Sequence, residues 1–283
     1  MSLAQSAILV ELSISSWSGR KLDRKVSSEV NTNKGANRDA VRANKNLFAG
    51  SDKLEKVNSY VSATRAEYGD LTLPWSSTGA RILPFKEFFN FKEWLVEKET
   101  GFTSIVDNFL DEYSSLISTQ AFRLGTMFDA SEYPTADELR YKFRFHSVFT
   151  PMPEAGDFRI DAEGAMKKEL EEQYAKAYNE RTNTAMQDIW DRLYETVSHL
   201  RDKCAMEKTI FRESTMDNAV ALCGILTRLN ITQDPELEAR RRELERALTS
   251  VDIFDLRKDA AARLDTKDKM DAILAKMKGV GLC

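Results

Sequence analysis

Histidine is the scarcest chemically useful residue in this chain of 283, which holds only His146 and His199. Each is alone in its segment, and a lone histidine is more often an ordinary structural residue than a ligand or a base. Glu195 stands four residues before His199 on one helical face. A carboxylate-bridged di-iron bundle instead needs Glu-x-x-His, three apart, from two helices and with further glutamates. Spacing and count both fail, which leaves an exposed helix pair. Cysteine is nearly as rare. Cys204, Cys223 and Cys283 are odd in number and lack the paired spacing of a zinc site or a disulfide framework. They fit a reducing compartment, with Cys204 and Cys223 buried and Cys283 on the tail.

Long apolar runs are also missing. None approaches the ~20 residues that cross a bilayer, so a soluble, cytoplasmic protein without a membrane partner is expected. Met1 to Val10 has no basic leader and no small-residue cleavage site, and Glu11 breaks its apolar run, so a signal peptide is not expected here. The chain has no GxxxxGK[ST] phosphate loop, no GxGxxG after a strand, no HExxH and no GxSxG. The expectation is a protein with no catalytic residues, no cofactor and no metal.

What the sequence does have is charge and helical periodicity. Charged residues make up 30%, and 41 Lys and Arg against 45 Asp and Glu leave a net charge of −4. That balance opposes global nucleic-acid affinity but permits local patches. The length allows one large domain or two ordinary ones with a real core. From Asp161 to Arg212 there is no proline, and no glycine after Gly164. A single helix of that length would reach ~75 Å, well beyond the diameter of a compact domain. Met186, Ile189, Leu193, Val197, Leu200 and Cys204 step by three and four along it, a narrow apolar stripe that reads as a helix interface. Helices of this chain, or of a second copy, would have to cover it.

Ile8, Val10, Leu12 and Ile14 alternate with Leu9, Glu11, Ser13 and Ser15, the period of a strand with one buried face. Residues 26 to 37 are polar and read as a loop, with a helical pattern from Arg38. Leu54, Val57, Val61, Thr64, Tyr68 and Leu71 supply its packing seam, and Pro74 stops it. Pro84 then introduces Phe85, Phe88, Phe89, Phe91 and Trp94, a group that serves either as core or as a partner-docking face. Gly101 is expected to break this segment from Phe102, Ile105, Phe109, Tyr113 and Leu116, giving a helical hairpin. Pro134 opens a short helix carrying Leu139. Phe143, Phe145 and Phe149 alternate with Arg144, His146 and Val148, then Pro151, Pro153 and Gly156 turn the chain into Phe158 and Ile160, a β-hairpin. Asp234 and Pro235 form a helix start leading into Leu237, Leu244 and Leu248. A last helix runs from about Thr266 through Met270, Ile273 and Met277.

Two basic groups stand out. Arg240, Arg241 and Arg242 are interleaved with Glu236 and Glu238 at the spacing of helical salt bridges, so they read as a solvated face. Between Arg20 and Lys56 there are 10 Lys and Arg against 5 Asp and Glu. Lys34, Arg38, Arg42 and Lys45 would form one stripe on a helix. With Arg20 and Lys21 they are either a solvated surface or a face for phosphates or an acidic protein.

Trp17-Ser18-Gly19-Arg20-Lys21-Leu22, after the opening strand, and Pro153-Glu154-Ala155-Gly156-Asp157-Phe158-Arg159-Ile160-Asp161, before the long helix, resemble an uncharacterised family of bacteriophage and bacterial proteins. The resemblance spans Ile8 to about Leu200. Members of that family are often encoded beside MoxR-type AAA+ ATPases and von Willebrand A-domain proteins. It implies a client or adaptor of a remodelling ATPase and supplies no catalytic residues.

The combined expectation is a predominantly α fold with helical-bundle or coiled-coil-like packing and a small antiparallel β-sheet, an α+β protein. A mixed region 1–161 would precede a long-helix region 162–283. The function expected is a phage-encoded, non-enzymatic assembly or adaptor protein. It would work as a homo-oligomer or with an AAA+ ATPase or a von Willebrand A-domain protein, in the host cytoplasm. A nucleic-acid-associated protein using Lys34 to Lys45, or a virion component, is the alternative.

Overall fold

The computed structural model describes residues 3–154, 164–206 and 210–278. In chain order, α1 (Leu3–Ser6) runs into β1 (Ala7–Ser15), followed by β2 (Arg20–Leu22), α2 (Arg24–Asn33) and β3 (Asn44–Asn46). Next come α3 (Lys53–Leu71), β4 (Leu73–Pro74), β5 (Arg81–Pro84), α4 (Phe88–Asp111) and α5 (Tyr113–Leu124). The chain continues with α6 (Ala136–Arg140), β6 (Arg144–Pro151) and α7 (Gly164–Ala205). It ends in α8 (Glu213–Leu229), α9 (Pro235–Thr249), α10 (Ile253–Lys258) and α11 (Ala260–Lys278). Helix predominates. The strands form a four-stranded sheet of order β4-β5-β1-β6 and a separate β2–β3 ribbon, so the architecture is α+β.

The chain separates into two compact units, and not at 161. One unit comprises Met1–Glu11, Tyr68–Phe91 and Val148–Cys283, and the other comprises Leu12–Glu67 and Lys92–Ser147. The division falls inside β1, α3, α4 and β6.

In the first unit, β1 pairs antiparallel with β5 from Ala7↔Pro84 to Val10↔Arg81, and β4 adds to the far side of β5. The 42 residues of α7 extend about 63 Å and form the spine. Ile189, Leu193, Val197 and Leu200 are buried along it, as their stepping predicts, and Met186 packs half-buried beside them. Their cover comes from within the chain. Met270, Ile273, Leu274 and Met277 of α11 join the same core, as do Cys223, Leu226 and Leu229 of α8 and Leu237, Leu244 and Leu248 of α9. Each such aliphatic side chain contributes about 1.5–3 kcal/mol by leaving water. Of the two covers left open for Met186, Ile189, Leu193, Val197 and Leu200, helices of this chain or of a second copy, α8, α9 and α11 supply the first. The helix ends at Ala205, before the unbroken tract does.

Asp234 caps α9 as expected, its carboxylate accepting the N–H groups of Glu236 and Leu237. Glu236 and Arg240 approach to 3.5 Å, and Glu238 and Arg242 to 2.7 Å. The face is not wholly solvated, however. Arg241 is buried, with its guanidinium held between Glu238 at 2.8 Å and Glu245 at 2.9 Å.

In the second unit, the Phe48 ring sits at the centre of an aromatic cluster, 5.6 to 5.9 Å from Trp17, Phe109, Tyr113 and Tyr133. Of residues 26–37, expected to be a loop, 26–33 are helical, because Asp23 accepts the Val26 N–H and starts α2. The helix expected from Arg38 begins only at Lys53. Asn31 explains the delay. Its buried amide donates to the carbonyls of Arg38 and Val41 and accepts the Val41 N–H, tying 38–41 down as a loop. Gly101 does not divide a hairpin either, since α4 runs through it. It is the point where the Tyr60 ring lies against the helix, with the Tyr60 hydroxyl bonded to Lys98 O, and a β-carbon would collide with that ring.

The strand expected before the turn is present as β6, with Arg144, His146 and Val148 exposed, Phe143 buried, and Phe145 and Phe149 half-buried. It neighbours β1 in the sheet. The return strand at Phe158 to Ile160 lies outside the described residues.

Candidate functional site

Trp17 to Leu22 serves first as a structural bracket. The Trp17 carbonyl accepts from the Asn58 amide at 3.3 Å, and the Gly19 carbonyl accepts the Leu47 N–H at 2.8 Å. Gly19 has a φ of 62° and lies so close to the Leu54 side chain that a β-carbon would not fit, which accounts for glycine here. Arg20, Lys21 and Leu22 then pair with Asn46, Lys45 and Asn44.

Cavities flank this ribbon. One of about 720 Å³ is lined by Ser16, Ser18, Arg20, Asn46, Asn58, Ser59 and Ser62 over Phe48 and Leu54. It is rich in hydroxyls and amides, and its charged residues are Arg20 and Glu55. The other, of about 950 Å³, brings Lys21, Arg24, Lys25 and Lys45 together with Met127 and Phe128. Asp23, Glu29, Asp129 and Glu132 also line it. Lys45 is only 7% exposed. Its ammonium donates to Met127 O at 2.6 Å and pairs with Glu132 at 2.5 Å, so its charge is balanced locally. The Asp129 carboxyl lies below the ordinary carboxylate range, first because Ser131 donates to it, with Lys45 and Lys21 adding attraction.

The six basic residues singled out by spacing are therefore scattered. Lys34 ends α2, Arg38 and Arg42 lie exposed in the loop that Asn31 holds, and Lys45 is buried in β3. The helical stripe does not exist, because 34–45 contains no helix. Arg20 and Lys21 open onto different cavities. Lys21 and Lys45 do meet, and Arg24 and Lys25 join them. The last two lie in the basic stretch, and their convergence depends on α2, which residue spacing alone does not reveal.

The aromatic group after Pro84 also splits. In the first unit, Phe85 stacks on Phe88 at 5.8 Å and Phe89 meets Phe88 edge-on at 5.6 Å. Phe88 in turn touches Phe149 at 5.2 Å, and Phe91 is buried. Phe85 remains 55% exposed and Phe89 73% exposed. Phe85 and Pro84 border a cavity of about 590 Å³ with Ile231 and Pro235. Trp94, in the second unit, instead donates to Glu67 at 2.9 Å.

His146, Glu195 and His199 are exposed. Cys204 and Cys223 are buried, and burial pushes both thiols up to about 11, so neither carries a reactive thiolate near neutral pH. Among the described residues no group of His, Cys, Asp or Glu is placed to hold a metal, and no helix is long and apolar enough to cross a membrane. Comparisons with known protein families, curated proteins and solved structures gave no match.

Proposed function

We propose that this chain is a non-enzymatic assembly or adaptor protein that docks a partner protein through Phe85 and Phe89. The observation that supports this is the aromatic ledge in the first unit. Two phenylalanines stay in water while the ring between them, Phe88, is anchored on Phe149. Exposed aromatics held on a fixed base are the material of interface hot spots, because little side-chain entropy is lost on binding. The apolar stripe of α7 has no such role left, so self-association would also use the ledge.

The resemblance at Trp17 to Leu22 supplies the candidate partners, a MoxR-type AAA+ ATPase or a von Willebrand A-domain protein, in a phage-infected cytoplasm. A virion component is a form of the same reading. Sedimentation at ~0.3 M salt, where charge contacts are screened, tests self-association, and capture on a MoxR-type ATPase tests the adaptor. An assembly burying at least ~1,000 Å² should persist at that salt. It should be lost in a Phe85→Ser, Phe89→Ser double variant that keeps the parent's circular dichroism. A chain that is monomeric and captures no ATPase sinks this reading.

A further inference from the structure

A cavity of about 710 Å³ in the first unit, an ordinary size for a small-molecule site, is walled by α1, the first half of α7 and the loop joining α8 to α9. Among the described residues its lining holds one charged side chain, Glu154, and no lysine or arginine. Glu154 is exposed and has no ion-pair or hydrogen-bond partner among them. Its charge reaches Tyr178 on the same wall. Burial first, then Tyr174 and the Glu154 carboxylate, hold the Tyr178 phenol above its ordinary pKa.

The threonine hydroxyls of the lining are already committed as donors. Thr182 gives its proton to Tyr178 O at 3.0 Å, and Thr232 gives its proton to Met186 Sδ at 3.3 Å. What each oxygen has left is lone pairs, and an ionised carboxylate offers nothing else. The polar side of the cavity therefore accepts hydrogen bonds and carries negative charge. Leu3, Ala4 and Ile231 supply apolar surface beside it, and the Tyr178 ring is braced on Trp75 at 5.4 Å. Gln233, also in the wall, has a φ of 57°, the one positive value among the described non-glycine residues. Backbone of that kind is uncommon outside glycine and gathers at ligand sites. Ammonium and guanidinium groups only donate and carry positive charge, so on an apolar stem they complement each of these features.

We propose that this cavity binds an ammonium or guanidinium group on an aliphatic stem. Glu154 pairs with the charge, Thr182 and Thr232 accept its N–H groups, and Leu3 and Ile231 cover the stem. The Tyr178 ring adds cation–π attraction. Anionic ligands are selected against, since Glu154 repels them and no cation of the lining offsets it. The same chemistry is found in a free alkylamine and in a lysine or arginine side chain of another protein. The site uses neither Phe85 nor Phe89 and stands whether or not the aromatic ledge docks a partner.

Calorimetric titration of the full chain with n-pentylamine, n-butylguanidine, Nα-acetyl-lysine methylamide and neutral 1-pentanol tests the proposal. At least one of the three cations should bind saturably, and 1-pentanol should bind about tenfold more weakly or not at all, since it lacks the charge-assisted hydrogen bond. Glu154→Gln should weaken the cation by about tenfold as well. Glu180→Gln, an equal change of charge on α7 outside the lining, should leave binding unchanged. Both glutamates are exposed, and circular dichroism checks that the variants fold. Tighter binding of the lysine derivative than of pentylamine assigns the site to a protein side chain, and the reverse order assigns it to a free amine; either supports the site. No saturable binding of any cation overturns it. So does 1-pentanol binding as tightly as pentylamine, or cation binding indifferent to Glu154→Gln.

Discussion

Arg81 and Arg192 share one acceptor, since an Nη2 from each donates to the carbonyl of Gly69, at 3.0 and 2.8 Å. Both also reach Thr72 O, at 2.9 and 3.0 Å, and Arg192 bonds Asp70 O at 2.9 Å. These carbonyls lie where α3 ends and its last C=O groups lack helical partners, the negative end of the dipole. Two guanidinium groups side by side repel, and Asp188, 2.7 Å from Arg192, offsets this. Burial still holds the Arg81 pKa below its ordinary value.

Arg192→Met should therefore destabilise the protein by about 2–4 kcal/mol, because it removes three hydrogen bonds, leaves Gly69 O and Thr72 O to Arg81 alone and strands Asp188. Arg192→Lys should recover only part of the loss, since one ammonium cannot reproduce the fork. Urea unfolding decides, and a loss for Arg192→Met below ~0.5 kcal/mol, as at an ordinary surface site, would refute the arrangement.

The α7 core gives a second expectation. Leu193→Ala and Leu200→Ala should each cost about 2–5 kcal/mol, the range for emptying a buried leucine site. Val220, exposed on α8, should change stability by less than about 0.5 kcal/mol when replaced by Ala. Equal effects at Leu193 and Val220 in denaturant titrations would contradict this register.

Gln120 of α5 is fully buried, and neither its Nε2 nor its Oε1 has a hydrogen-bond partner among the described residues. Leaving both groups unsatisfied is costly, and methionine matches the side chain in length. Gln120→Met should raise stability by about 1–2 kcal/mol, seen as a higher midpoint in urea. A drop of that size would mean the amide is bonded after all.

Glu238 supplies a pH signature. The Arg241 guanidinium beside it, seconded by Arg242, pulls its carboxyl down to about 2 from the ordinary 4.5. The folded-state pKa is depressed, so the stabilisation is fully present above about 4.5 and is lost as pH falls toward about 2. Glu238→Gln should lower stability at neutral pH and flatten its decline across that window. Parallel acid profiles for parent and variant, from unfolding curves, would show that the pair contributes nothing.

Much of this fold was legible in periodicity. The strand at Val10 to Ile14, the seam from Leu54 to Tyr68, the stripe of α7 and the Asp234-Pro235 cap all follow from local spacing and end chemistry. The failures came where a distant contact overrules the local signal. Gly101 looks like a breaker until Tyr60 is found lying on it, and the basic residues after Lys34 look helical until Asn31 is seen clamping their backbone. The candidate cavity was less legible still. Lys21, Arg24, Lys25 and Lys45 meet because β2 pairs with β3 and α2 starts at Asp23, and single-residue spacing does not encode that meeting.

The interrupted segments of the first unit set an order of assembly during synthesis. All residues of the second unit have been made once Ser147 is added, and they can collapse around Phe48 while the ribosome is still translating. The first unit must wait. Ala7 and Leu9 belong to one core cluster with Ile189, Leu226 and Met270, so that core is complete only once α7, α8 and α11 have been made. Until then those side chains are open to chaperones or to wrong partners, and a chain stopped early would be trapped in that unfinished state.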